Sequence, residues 1–218
     1  MYAEVTEKRP LTTPDAARAR VGERNRHRPR RLLLLQTTLR LIADEGIDAV
    51  THRSVAEAAG VSLGSTTYWF ASRQDMLRQA LEYFARLEIE GLHERLAPIR
   101  GRRLSDRRLV DEFAELLLPQ LDRERWRTVA QYAFMQEAAR RPELEAICRE
   151  WSQAWEDELA ELFASLGTPS PRLEATMFLA MLDGLLLGQL AAPEDDVEHG
   201  VLRPALEAWF ERLPRGGA

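Results

Sequence analysis

The chain has 218 residues, 45% of them hydrophobic and 30% charged, which suits one or two soluble domains with a real buried core. A single cysteine, Cys148, excludes a disulfide framework and a cysteine metal cluster, and makes a reducing cytoplasm the expected setting. The net charge of −5 hides an asymmetry: residues 1–80 carry thirteen Lys/Arg against nine Asp/Glu, residues 81–218 seventeen against twenty-six. A basic end on an acidic chain fits a polyanion at that end.

Residues 1–28 are expected to form a basic, disordered arm, with Arg18, Arg20, Arg24, Arg26 and Arg28 offset locally only by Glu23. The stretch MYAEVTEKRPLTT has no apolar segment behind a basic one, so no signal peptide is expected there. Next, Leu34, Leu35, Leu39 and Ile42 fall at helical spacing, and Gly46 sits where a left-handed C-cap would end that helix. Thr51 can cap a short second helix through Ala59, with Val55, Ala56 and Ala59 turned inward. Gly60 breaks it, and Ser62 opens a third. A cap at Ser72, with Asp75 three residues on, begins a long helix from about residue 73 to 95 that ends near Pro98.

Further helices are predicted near 105–118, 122–140, 142–166, 171–191 and 197–211. Their boundaries are marked by Pro119, the Arg141-Pro142 step, GTPSP at 167–171 and APEDD at 192–196. No segment sustains strand alternation, so the fold class is all-α. The most apolar run, Ala175 to Ala192, contains Asp183 and Gln189; a mid-bilayer Asp costs roughly 2.5–3.5 kcal/mol, so a buried helix is expected rather than a membrane span.

The third helix is the informative one. In VSLGSTTYWF (61–70), Thr66 and Phe70 are four apart and face inward, leaving Leu63, Gly64, Ser65, Thr67 and Tyr68 on the flanks and outer face. Two short helices joined by AGVS (59–62) have helix-turn-helix spacing. Hydroxyls and a bare backbone suit phosphates, an apolar group suits a thymine methyl, and the helix N-terminus favours an anion. Small-residue turns also join helices that never meet DNA, so the turn by itself leaves both readings open.

From Arg31 to Leu77 the sequence resembles the N-terminal domain of tetracycline-repressor-type (TetR family) transcriptional regulators. The likeness is carried by the first helix ending in Gly46, VTHRSVAEAAGVS (50–62), Gly64, Phe70 and SRQDML (72–77). It implies a helix-turn-helix domain over 29–77, with Thr51 on phosphate, Arg53 near the groove, and Ser62, Leu63 and Ser65 at base edges. Thr67, Tyr68 and Trp69 would line the DNA backbone, Gly64 would permit close approach, and Arg73 would stand where the family usually has a phosphate-binding Lys. The segment TTYWF departs from the family pattern, which leaves open whether Tyr68 or Trp69 meets phosphate.

The resemblance also implies that residues 78–213 form a helical domain that dimerises and binds a small effector. The apolar stripe Leu159, Leu162, Phe163 and Leu166, with Met177, Ala180, Gly184 and Leu187 on the next helix, is the expected dimer interface, although such stripes also close monomer cores. The candidate lining of an apolar effector pocket is Phe84, Trp126, Tyr132, Met135, Gln136, Trp151, Trp155, Phe178 and Met181.

Catalytic signatures are not found. The histidines 27, 52, 93 and 199 are scattered, there is no nucleophile elbow or phosphate loop, and Cys148 reads as an inert half-buried thiol, so no catalytic, metal or cofactor site is expected. The sequence therefore points to a cytoplasmic, homodimeric DNA-binding regulator, most simply a repressor released from a palindromic operator by a small apolar effector. The alternative is a ligand-independent dimeric DNA-binding or scaffolding protein.

Overall fold

The computed structural model describes residues 14–99, 102 and 104–215, with side chains from Pro29 onward. These residues are helical throughout, without strands: α1 Pro14–Glu45, α2 His52–Ala58, α3 Leu63–Trp69, α4 Arg73–Leu96, α5 Asp106–Leu121, α6 Arg125–Ala138, α7 Pro142–Ser165, α8 Pro171–Ala191 and α9 Arg203–Arg212. A short 3-10 turn, Ile47–Ala49, precedes α2, and a π turn, Glu198–Leu202, precedes α9.

Most boundaries follow from local chemistry. Gly46 adopts φ 87°, a conformation that side-chain-bearing residues rarely tolerate, and its N–H closes on Ile42 O at 3.0 Å. Thr51 forms a capping box: its hydroxyl accepts from the Ser54 N–H while the Ser54 hydroxyl accepts from the Thr51 N–H. Ser72 caps α4 by accepting from the Asp75 N–H at 3.1 Å. Ser62 stands at the N-cap of α3, but its hydroxyl meets that of Ser65 at 3.2 Å and accepts no backbone N–H.

α1 begins at Pro14, inside the segment 1–28 expected as a basic, disordered arm; residues 1–13 and the side chains of 14–28 lie outside the described residues. Pro119 does not terminate α5; it sits in the last turn, its carbonyl accepting from the Asp122 and Glu124 N–H groups.

Two hydrophobic cores divide α4 between them. The first gathers α1 to α3 with the first half of α4, and includes Phe70, Met76 and Leu81 together with Phe134 of α6 and Trp151 of α7. The second collects Leu92 and Leu96 with Phe113, Leu159, Phe163, Phe178 and Phe210. Truncating one of these buried phenylalanines to Ala would cost ~3–5 kcal/mol. α6 and α7 thus share a core with the helices that carry α3, and α4 runs continuously through both cores.

Candidate nucleic-acid interface and internal cavities

α2 and α3 pack against each other across the turn at Gly60, whose φ of 64° allows Val61 N–H to reach Ala56 O at 2.9 Å. Thr66 is fully buried, and its hydroxyl is shared between the carbonyls of Leu63, at 2.8 Å within α3, and His52, at 3.2 Å; the latter ties α3 to α2 by a polar contact instead of apolar packing. With Thr66 and Phe70 inward, the opposite side of α3 faces solvent. Leu63 is 51% and Tyr68 68% exposed; Ser62, Gly64 and Thr67 are exposed and Ser65 is half-buried. Thr51 and Arg53 are exposed beside them, and Arg53 has no ion-pair partner among the described residues.

The two aromatics separate clearly. Trp69 is half-buried and packs against the first core, whereas Tyr68 projects outward, its ring edge-on to Trp69 at 4.9 Å. Arg73 also has partners within the subunit. Its Nε donates to Val50 O at 2.8 Å and its Nη2 to Ile47 O at 2.7 Å, with Asp48 Oδ1 at 3.3 Å, so the guanidinium clamps the turn before α2.

Two cavities lie among α4 to α8. The larger, about 390 Å³, is bordered by Phe84, Glu88, Arg95, Glu112, Arg127 and Thr128 among others. The smaller, about 250 Å³, is walled by Met135 and Gln131 of α6, Trp151, Trp155 and Glu156 of α7, and Ala180 and Asp183 of α8. Glu88, Leu116, Gln120 and Gln131 belong to both walls. The Glu88 carboxylate is buried yet paired: Arg95 Nη2 donates to Oε2 at 3.0 Å and Arg127 Nε to Oε1 at 3.1 Å. Among the described residues the Asp183 carboxylate is held by the Tyr132 hydroxyl alone, which donates to Oδ1 at 2.9 Å. Burial pushes the Asp183 carboxyl above its ordinary range, a shift the tyrosine hydrogen bond partly offsets. Burial, and next the Asp183 charge, raise the Tyr132 phenol.

Of the expected pocket residues, Phe84 lines the larger cavity and Met135, Trp151 and Trp155 the smaller. Tyr132 lines neither but positions Asp183. Trp126, Gln136, Phe178 and Met181 line neither cavity. Trp126 lies under the Arg40 guanidinium at 3.8 Å, Gln136 is exposed, Met181 packs against the second core, and Phe178 is buried among Phe113, Phe163 and Trp209.

The expected dimer stripe also splits. Leu159, Leu162 and Phe163 of α7 are buried within the second core and half-buried Leu166 packs against it, because this face of α7 meets α8 inside the subunit. On α8, Met177 and Leu187 are 49% and 47% exposed, and Ala180 and Gly184 are exposed. Leu173, 58% exposed, extends this outer stripe, as its step of four before Met177 predicts. Asp183 and Glu88 were not singled out as site residues: one is a lone carboxylate in an apolar run, the other a Glu paired with Arg95 on its own helix and with the more distant Arg127 of α6. Among the described residues no cluster of three His, Cys, Asp or Glu side chains could hold a metal, and burial raises the Cys148 thiol above its ordinary range.

A buried hydrophobic shelf, a Gly-hinged pair of short helices and an outward face of hydroxyls, Leu63 and Tyr68 define a helix-turn-helix protein of the DNA-reading class. Residues 34–80 match the family described as bacterial regulatory proteins, tetR family, and residues 104–213 match the tetracyclin repressor-like C-terminal domain. The chain belongs to the TetR family of transcriptional regulators. It is similar to a transcriptional regulator from Rhodococcus sp. Rha1, at 26% identity over 84% of this chain and 95% of that one, with a TM-score of 0.71. It is similar also to a TetR-family member from Streptomyces coelicolor A3, at 29% identity over 85% and 98%, TM-score 0.65. A third similar structure is the multidrug binding protein EbrR complexed with ethidium, at 28% identity over 85% and 99%, TM-score 0.63. Among curated proteins none matches the chain.

Proposed function

We propose that the protein is a cytoplasmic, homodimeric repressor that reads a palindromic operator with α3 and leaves it when a small molecule fills the cavities between α4 and α8. The observation that carries the DNA-reading part is the outward face of α3, where exposed Leu63, Thr67 and Tyr68 stand opposite buried Thr66 and Phe70. Hydroxyls and backbone there suit phosphates, and Leu63 suits a thymine methyl. Ser62 and Ser65 stand beside Leu63 for base edges, with Thr51 and Arg53 on the phosphate side.

Two copies are needed to read two half-sites about 34–36 Å apart. The stripe of Leu173, Met177, Ala180, Gly184 and Leu187 is apolar and stays exposed among the described residues, which supports a helix-to-helix pairing of α8 with its symmetry mate. α8 is long and apolar enough by length and composition to cross a membrane, but Ala175, Phe178, Leu182 and Leu186 pack into the second core. The ethidium complex of the similar EbrR supports a small-molecule effector here. It also favours that reading over a ligand-independent DNA-binding or scaffolding protein.

Footprinting of the purified protein on the DNA flanking its own gene tests the proposal. The expected result is protection of an inverted repeat whose half-sites are one or a few helical turns apart. Uniform, salt-sensitive coating of every fragment, or no binding in dilute buffer, would sink it.

A further inference from the structure

The smaller cavity has an electrostatic character that the fold itself does not satisfy. Its wall contains three carboxylates, Glu88, Glu156 and Asp183, and no lysine or arginine. Glu88 is accounted for by Arg95 and Arg127. Asp183 and Glu156 have no ion-pair partner among the described residues, and Asp183 is held by a neutral phenol alone. A carboxylate at a largely apolar cavity is costly unless a cation meets it or it takes up a proton, and a bound cation removes the cost at the pH where the carboxylate is charged.

The remaining wall suits a cation of one kind. Trp151 is almost wholly buried on this wall, and half-buried Trp155 lies one turn further along α7. The Arg95 guanidinium already stands 5.6 Å from the Trp155 ring centre, so that indole's π cloud faces positive charge within the subunit itself. Indole faces and a methionine favour a weakly hydrated, alkylated or delocalised charge over a compact ammonium. An anionic effector would meet Asp183 and Glu156 without a compensating cation on this wall, and a neutral one would leave both carboxylates unpaired.

We propose that the effector of this protein is an organic cation, a quaternary ammonium or delocalised aromatic cation, whose charge is met by Asp183, oriented by Tyr132, between the walls formed by Trp151 and Trp155. This assignment rests on the reading of the cavity as the effector site, and adds the class of ligand and the residue that selects it. Asp183 is the specificity determinant: it sits on α8 beside the exposed apolar stripe, so the bound charge adjoins the proposed dimer face.

Benzyltrimethylammonium and its uncharged isostere neopentylbenzene separate charge from shape. Direct titration of the full-length protein without DNA, followed by tryptophan fluorescence, is expected to show saturable binding of the cation and at least about tenfold weaker binding of the isostere. Asp183→Asn should weaken cation binding about tenfold or more while leaving the isostere unchanged. Trp155→Leu should weaken the cation more than the isostere. Equal binding of the two probes, absence of cation binding, or a cation affinity indifferent to D183N with the variant folded would each overturn the assignment. Operator release is read separately by gel shift. Cation binding without release leaves the charge assignment standing and removes the switch; release by a neutral compound alone does the reverse.

Discussion

Ile47 and Val50 present carbonyl oxygens at the end of the turn between α1 and α2, and Arg73 supplies the N–H groups that meet them. Arg73→Ala leaves both without that partner, a loss of about 1.5–3 kcal/mol for hydrogen bonds to a charged group. The expected outcome is a lower melting temperature with an unchanged slope of log affinity against log salt. A flattened slope at unchanged stability would return Arg73 to the phosphate backbone. The sequence showed the arginine and its position but not the acceptors, which lie 23 and 26 residues away. Asp183 gives a second test at this scale. Burial raises its carboxyl above the ordinary 3.8, so between that value and its native titration the folded state holds a proton that the unfolded state has released. Stability attached to this group is complete below about pH 4 and is lost as pH rises through the native titration. The nearby Glu88 and Glu156 are unchanged in the variant. Asp183→Asn should therefore melt higher than the parent near neutrality, with the gap closing towards pH 4; a gap that widens in acid would contradict the burial argument.

α3 and α8 are both helices whose two faces have different work. On α3 the inward pair Thr66 and Phe70 was legible from a spacing of four, and so was the outward set, because a seven-residue helix with a fixed turn before it has little freedom of rotation. Tyr68→Phe should weaken operator and unrelated DNA by a similar factor, about two- to tenfold for one hydrogen bond, whereas Leu63→Ala should change which operator variants bind best. Gel shifts on a panel of single-base operator variants distinguish the two patterns. On α8 and α7 periodicity was a weaker guide. Both helices carry apolar residues around more than one face, and a stripe says only that something covers it. The pairing of α7 with α8 inside the subunit consumed Leu159, Leu162 and Phe163, leaving Met177, Gly184 and Leu187 outside. A Cβ placed on Gly184 meets no atom within 4 Å in the subunit. Gly184→Leu should thus fold, with up to about 1 kcal/mol of added helix propensity. Across a close α8 pair, however, it would obstruct approach. The variant is expected to sediment as a folded monomer, and a stable dimer of ordinary affinity would show that α8 is not the interface.

Across the whole molecule, a chain of contacts through α6 joins the cavities to the helices that carry α3, and the proposed switch would run along it. Glu88 borders both cavities and binds Arg127; the residue before it, Trp126, lies under Arg40 of α1; and α1 shares its core with α2 and α3. Trp126 was expected as a pocket residue from its size and apolarity, and its actual neighbour is a cation 86 positions earlier in the chain, a pairing that no local pattern encodes. A ligand that displaces Arg127 from Glu88 shifts the first turn of α6, and with it the surface on which α1 rests. Such coupling is worth typically 1–3 kcal/mol and must act equally in both directions: operator weakens ligand binding by the factor by which ligand weakens operator binding. Trp126→Ala removes the stacked contact between α1 and α6 while leaving the cavity walls and the face of α3 in place. Ligand affinity alone and operator affinity alone should change little, yet the ratio of ligand affinities with and without operator should fall towards one. The measurement is a pair of titrations with any compound that displaces operator from the parent protein. If the ratio in Trp126→Ala equals that of the parent, the signal does not pass through α6, and the continuous helix α4, which runs from the DNA-reading domain to Glu88, is the path instead.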